Sequence, residues 1–387
     1  MLLAMVSRRS MIALGKGRGI VLGMQEFTIL QRAMTLAGLA PVLLIGAGVH
    51  RDDLPKDLTP ASYRVSMPIP DAPQPLPVFP APAALTATID SLARDFGGVV
   101  GISVRSLEWG WQVDANGDRR MPQQSVSKLW VAMTVLDARD KGRLTLDDPV
   151  ELRREHLTLF HQPIASLVVR DGVYRTTVRE LLLRAMQSSD NTANDRLLTL
   201  VGGPQAVRAF IADRGLGEIR FGPGERLLQA GTAGLRWDQR YSMAGEFQRA
   251  RAALPPTVRR AAFDSYVADP VDGAAPSAIA LALARLKAGE LLSASSTSFL
   301  TNVMSGTRTG KARLRAAVPA GWTLAHKTGT GQDLGARTAG FNDIGILTAP
   351  DGKAYSVAVM IGDTPRPVRE RQQLMQAVVA SVVANHR

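Results

Sequence analysis

Apolar positions recur at helical spacing over 85–96, and two short β-branched runs follow at 98–104 and 109–113, separated by a turn. A helix and a hairpin are therefore expected first. Residues 127–144 read as a buried helix that stops near Gly142, and further helices are expected at about 178–187 and 192–200, the last halted by Gly202-Gly203. Alternation returns toward the C-terminus, where 322–328, 338–348 and 355–361 read as strands and 368–384 as a closing helix. Strands at both ends of a helical middle predict an α/β (α+β) chain: one sheet-plus-helices layer built from both termini, with an inserted all-α lobe at about 125–320. No internal repeat is visible.

The N-terminal region departs from this pattern. Residues 34–48 form an apolar run that follows Arg32, contains Pro41 and ends in small residues, the form of an export signal. At well under the roughly 20 residues that span a bilayer, it is not expected to be a stable membrane span. Prolines 68, 70, 73, 75, 77, 80 and 82 then make an extended connector. The expected organisation is a signal or targeting segment (1–50), a Pro-rich linker (51–83) and a catalytic domain (84–387), in a periplasmic or secreted protein.

Composition narrows the chemistry. With 387 residues, 45% hydrophobic and 21% charged, the chain can bury a large core. The absence of cysteine removes disulfides, thiolate metal sites and a cysteine nucleophile. Residues 1–51 carry six Lys/Arg against one Glu, a local +5 that leaves +7 of the net +12 for the rest. Nucleic-acid binding would need a basic stripe with interleaved aromatics, and aromatics make up only 5% of the chain. No nucleic-acid partner, metal or cofactor is expected.

Three motifs stand in order: Ser125-Val126-Ser127-Lys128, Ser189-Asp190-Asn191 and Lys327-Thr328-Gly329. Each alone is weak, and together they are specific. Residues three apart share a helix face, so the Lys128 amine can reach the Ser125 hydroxyl, which Ser127 cannot offer. Serine needs a base, and a lysine serves as one only where burial or nearby positive charge, such as Lys327, lowers its pKa. A helix starting near Ser125 aims N–H groups at a developing oxyanion, with a second donor from the strand at Thr330. The competing reading of Ser125 and Lys128 is a helix cap followed by a surface lysine. Ser189 is a cap or a proton shuttle, Asn191 offers an amide to a substrate carbonyl, and Asp190 fixes the loop.

These residues resemble the class A β-lactamase family, over most of 84–387. Leu146-Asp147-Asp148-Pro149-Val150-Glu151-Leu152-Arg153, Met186-Gln187-Ser188-Ser189-Asp190-Asn191-Thr192-Ala193-Asn194, Pro319-Ala320-Gly321-Trp322 and Asn342-Asp343-Ile344-Gly345 are similar to family text. The resemblance implies an antiparallel five-stranded sheet flanked by helices and a monomeric hydrolase of small-molecule β-lactams, acylated on Ser125. It also implies a deacylating glutamate after the second motif. Glu225, 36 positions beyond Ser189, has the family spacing, with Glu218 as fallback; a solvated Glu225-Arg226 loop pair is the bland alternative. The stretch lacks the family's usual aromatic before that glutamate, and Gln229 stands where asparagine is commoner. Phe160 is similar to an aromatic wall of the substrate pocket, and Arg337 to a basic residue that holds the substrate carboxylate. About 35 residues inserted within 230–275 either cover the site or lie on the surface.

Rival signatures fail: the chain has no Gly-x-Ser-x-Gly elbow and no His-Glu-x-x-His, and 306–311 does not fit a phosphate loop. What remains is a serine β-lactamase, with a D,D-peptidase (penicillin-binding protein) or a non-hydrolysing β-lactam sensor as alternatives.

Overall fold

From its N-terminal side, the described chain (residues 79–387 of a computed structural model) runs α1 (Ala83–Phe96), β1 (Val99–Ser106), β2 (Gln112–Ala115), a long helical stretch, β3 (Thr323–Thr330), β4 (Phe341–Thr348), β5 (Ala354–Asp363) and a closing helix. The helical stretch holds α2 (Lys128–Asp140), α3 (Ala165–Asp171), α4 (Val178–Gln187), α5 (Asn191–Leu200), α6 (Pro204–Asp213), α7 (Glu225–Thr232), α8 (Glu246–Ala253), α9 (Pro256–Ala268), α10 (Pro276–Lys287) and α11 (Ala294–Ser305); the closing helix is α12 (Val368–Ala384). The expected export segment and the linker up to residue 78 lie outside the described residues.

The five strands form one antiparallel sheet in the order β2-β1-β5-β4-β3, so its centre joins the two ends of the catalytic chain. Period-two alternation gives the sheet two apolar faces. Val100, Ile102 and Val104 on β1 sit opposite Ile361, Val359 and Val357 on β5 and pack with Leu85 and Ile89 of α1 and Val378 and Val382 of α12. Met360, Ala358, Ile344 and Ile346 serve the other face, against the helical lobe. There α10 comes so close to β1 that a Cβ on Gly101 would meet Pro276 Cγ at 2.7 Å. Helix α2 is buried almost throughout, Leu129, Trp130 and Met133 included, and is the axis of that lobe.

The sequence-based elements are present with shifted ends. The helix expected over 127–144 ends at Asp140, because Gly142 takes φ 68°. The second strand begins at Gln112 because Gly110 (φ 68°) occupies the turn before it, and β4 begins at Phe341, after Gly340 (φ 108°). The insertion contains α8 and α9 and ends in Gly273–Ala274, which pairs with Met121–Pro122 just before the first motif. Among the described residues, no helix is long and apolar enough to cross a membrane.

Candidate active site

Four elements converge where the sheet meets the helical lobe. A 3₁₀ turn (Gln124–Ser127) carries Ser125 directly into α2, the junction between α4 and α5 carries Ser189 and Asn191, α7 opens with Glu225, and the end of β3 carries Lys327 to Thr330. Around them lies a pocket of about 320 Å³, lined by Ser125, Phe160, His161, Ser189, Asn191, Gln229, Thr309, Arg313, Thr328, Thr330, Gly331 and Gln332. Gln124, Phe160 and Ser189 all have left-handed backbone (φ 54°, 60° and 59°), unusual for non-glycine residues and concentrated at this one place.

Lys128 is the hub. Its Nζ lies 2.5 Å from Ser125 Oγ, 2.9 Å from Asn191 Oδ1 and 2.5 Å from Glu225 Oε1, and the lysine and the glutamate are both buried. At 3% exposure, Glu225 is not half of a solvated pair with Arg226. Its backbone N–H donates to Asp195 Oδ1 at 2.9 Å, and Arg226 N to Asp195 Oδ2 at 3.2 Å, so a carboxylate caps the start of α7. Burial, then the charge of Glu225, push the Asp195 carboxyl above its usual range. Asp190 is the N-cap of α5: its carboxylate accepts from Ala193 N (2.9 Å) and Ile164 N (2.7 Å), which pins the loop carrying Ser189.

The second lysine, Lys327, donates to Ser189 Oγ at 3.0 Å and to the Thr328 carbonyl at 2.9 Å. It is fully buried; desolvation first, and the Lys128 charge second, hold its pKa well below the ordinary lysine value. An anion bound beside it would favour the charged amine and so offset that shift. Gly329 lies under the turn: a Cβ there would meet the Gln123 carbonyl oxygen at 2.3 Å, an approach that requires glycine.

Two sequence-based assignments fare differently. Arg337 does not line the pocket. Its guanidinium is bound by Asp264 (2.6 Å) and Asp363 (2.7 Å) and lies over the Phe263 ring, because the insertion and the end of β5 surround it with carboxylates. Instead Arg313, missed in the sequence, reaches the rim of the pocket. It donates to Thr330 Oγ1 (2.6 Å), Gly329 O (2.9 Å) and Asn342 O (2.6 Å), and burial draws its pKa down to about 10, still protonated at neutrality. No local pattern separates it from Lys311 or Arg315; only the fold lays it along β3. Glu218, the fallback base, pairs with Arg120 at 2.8 Å on the surface and lies outside the pocket.

Phe160 lines the pocket, 42% exposed, with Phe247 of α8 edge-on to it at 5.0 Å. The insertion thus backs this part of the wall from behind. Gln229 also lines the pocket, but its amide is engaged: Nε2 donates to Gln124 Oε1 at 2.9 Å and only distantly to Glu225 Oε2 at 3.4 Å, and Oε1 accepts from Gln332 at 3.0 Å.

A serine hydroxyl met by a buried lysine, with a carboxylate on the lysine's far side and N–H-bearing backbone around the pocket, is the equipment of an active-site-serine hydrolase. Comparison with known proteins narrows the class. The family model described as the Beta-lactamase enzyme family matches residues 84–386. The extended-spectrum beta-lactamase PER-1 of Pseudomonas aeruginosa is 29% identical over 77% of this chain and 84% of its own, and beta-lactamase Toho-1 of Escherichia coli is 29% identical over 77% and 87%. Among solved structures, a beta-lactamase from Chitinophaga pinensis aligns with TM-score 0.65 and 28% identity over 78% of this chain and 99% of its own; TLA-1 extended-spectrum beta-lactamase does so at 0.65 and 26% over 78% and 98%. The chain belongs to the beta-lactamase enzyme family, as a serine hydrolase of the class A type.

Proposed function

We propose that the protein hydrolyses the β-lactam amide through an acyl-enzyme on Ser125, with Glu225 activating the water that releases it. The observation that carries the reading is Lys128 standing 2.5 Å from both Ser125 Oγ and Glu225 Oε1. In acylation, Lys128 relays the Ser125 proton toward Glu225 while Oγ bonds to the lactam carbonyl carbon. The backbone N–H groups of Ser125 and Thr330 receive the oxyanion. The C–N bond then breaks; Ser189, held by Lys327, passes its proton to the leaving nitrogen and is reprotonated by the proton Glu225 took up, so that Glu225 is ionised again. Thr328, Gly329 and Thr330 receive the substrate, whose carboxylate faces the positive charge of Lys327 and Arg313; Asn191 and Phe160 border its other side. In deacylation, Glu225 takes a proton from water, the water oxygen attacks the ester carbon, and Ser125 leaves and is reprotonated. No cofactor enters this scheme, and the enzyme is taken to act as a monomer on a small molecule. Export to the periplasm or the exterior belongs to the same reading, on the strength of the apolar run at 34–48.

A second reading has one observation in its favour: with its amide already engaged by Gln124 and Gln332, Gln229 has limited capacity to hold a water beside Glu225. That suits a D,D-peptidase or sensor, which is acylated and releases slowly. Intact-mass measurement with a penicillin separates them. Wild-type protein should return to its unmodified mass as product accumulates, Glu225→Ala should keep the added mass, its release slowed roughly 10²–10⁴-fold, and Ser125→Ala should never gain it. Wild-type protein that holds the drug as long as Glu225→Ala does would overturn the hydrolase reading.

A further inference from the structure

The insertion supplies more than support for the Phe160 ring. The two residues before the nucleophile, Gln123 and Gln124, are held from its far end. Asp272 Oδ2 accepts from Gln124 N at 2.8 Å, the Asp272 carbonyl accepts from Gln123 Nε2 at 2.5 Å, and the Arg220 carbonyl accepts from the same Nε2 at 2.9 Å. On α9, Tyr266 donates to Asp272 Oδ1 at 2.9 Å and accepts from Gln124 Nε2 at 2.7 Å. Gln124 Oε1 in turn accepts from Gln229 Nε2, and Gln332 fixes the other end of that amide. All six side chains (Gln123, Gln124, Gln229, Tyr266, Asp272 and Gln332) are buried, and Gln124 keeps its left-handed backbone at φ 54°. The hydroxyl of Tyr266, with the Ala339 carbonyl behind it, fixes which end of the Gln124 amide faces Gln229: Nε2 donates to Tyr266 at 2.7 Å and to Ala339 O at 3.1 Å, and only Oε1 is left for Gln229. Gln229 must then turn its Nε2 toward Gln124 and Glu225, and its Oε1 toward Gln332.

We infer that Tyr266 is a positioning residue of the β-lactamase reaction, acting through Gln124 to set the orientation of the Gln229 amide beside Glu225, and so to govern release of the acyl-enzyme. Asp272 holds the backbone of the same turn. The structure thereby assigns the inserted segment a part in turnover. The inference rests on the proposed hydrolytic reading, in which deacylation uses Glu225.

Steady-state kinetics of Tyr266→Phe with a penicillin test it, alongside intact mass. Removing the hydroxyl takes away the shorter of the two bonds that orient the Gln124 amide, leaving only the one to the Ala339 carbonyl, and so loosens that orientation while keeping the ring among Leu228, Phe263 and Ala339. In a two-step mechanism kcat/KM reports acylation, and kcat reports release when release is slow. The expected result is a fall in kcat of about tenfold, the size of one lost buried hydrogen bond, with KM falling in step and the acyl-enzyme mass accumulating. In a Gln229→Leu background, Tyr266→Phe should change kcat by less than about twofold, since its route is already cut. Equal losses in kcat/KM and kcat, or the same loss in both backgrounds, would mean that the hydroxyl only supports the fold, and the inference fails. Unchanged kcat in Tyr266→Phe also overturns it while leaving the hydrolase reading intact. Wild-type protein that never releases the acyl group removes both.

Discussion

At Gly329 a single missing methyl group keeps the nucleophile in place. The nearest neighbour of an added Cβ is the Gln123 carbonyl oxygen, which is backbone and lies two residues from Ser125, so no side-chain rotation relieves the clash. Gly329→Ala should cost about 1–3 kcal/mol in denaturant unfolding and lower kcat/KM more than stability alone explains; an alanine variant with native activity would refute the close approach. Asp272 gives a pH signature. Burial, partly offset by the hydrogen bonds from Gln124 and Tyr266, raises its carboxyl from 3.8 to about 6. The folded state therefore keeps a proton that the unfolded chain has lost, and this group's contribution to stability, full below about pH 4, is lost as pH rises through 6, at most about 3 kcal/mol. The unfolding free-energy difference between wild type and Asp272→Asn should shift in the variant's favour between pH 4 and 7, and a constant difference would contradict the raised carboxyl. The convergence of Ser125, Lys128, Ser189 and Lys327 on one site is legible in the sequence because these residues sit in short contiguous motifs. Arg313 was not, and Arg337 was misassigned, because a guanidinium's role depends on which carboxylates the fold brings to it, here Asp264 and Asp363.

Helices α8 and α9 illustrate the same limit one level up. The sequence marked the insertion but neither its helices nor its role, since each helix is anchored by a few isolated aromatics, Phe247 on one and Phe263 and Tyr266 on the other, rather than by a continuous apolar stripe. Their partners, Leu159, Leu228 and Ala339, are distant in the chain. Helices with strong local signals were read closely: α4 has its Thr177 cap and Glu180 in the first turn, and α12 has apolar residues at helical spacing. The packing of Phe247 against Phe160 makes a prediction at this scale. Phe160 is a left-handed, half-exposed residue whose ring has an edge-on aromatic neighbour in α8, so Phe247→Ala should release the pocket wall. KM for a penicillin should rise by roughly three- to tenfold, equivalent to the 0.5–1.5 kcal/mol of an aromatic pair, with kcat little changed. An unchanged KM would show that the wall stands without the insertion.

Over the whole molecule, the sheet closes the chain on itself: β1 and β2 come from before the helical lobe, β3 to β5 from after it, and α1 and α12 cover the face turned away from that lobe. This architecture was legible because apolar alternation at both ends frames a helical middle, and only a sheet shared between them buries both. The start of the folded body is less so, since the prolines up to Pro82 have the composition of a linker. In the structure Phe79 lies edge-on to Trp109 at 4.6 Å, and the Pro82 carbonyl accepts from Thr86 N at 3.1 Å in the first turn of α1. These contacts belong to the outer layer, and the pocket residues lie elsewhere. A chain begun at residue 84 loses the Pro82 carbonyl, the first residue of α1 and the half-buried Phe79 ring, 45% exposed. The aromatic pair and the residual burial of that ring together amount to about 1–3 kcal/mol. Purified 84–387 should therefore unfold at a temperature lower by about 2–5 °C than 79–387. Its kcat/KM at 25 °C should match, because the sheet separates the lost contacts from Ser125. Equal melting temperatures would return the boundary to Ala84, whereas a loss of activity without loss of stability would mean that the outer layer reaches the site through the sheet.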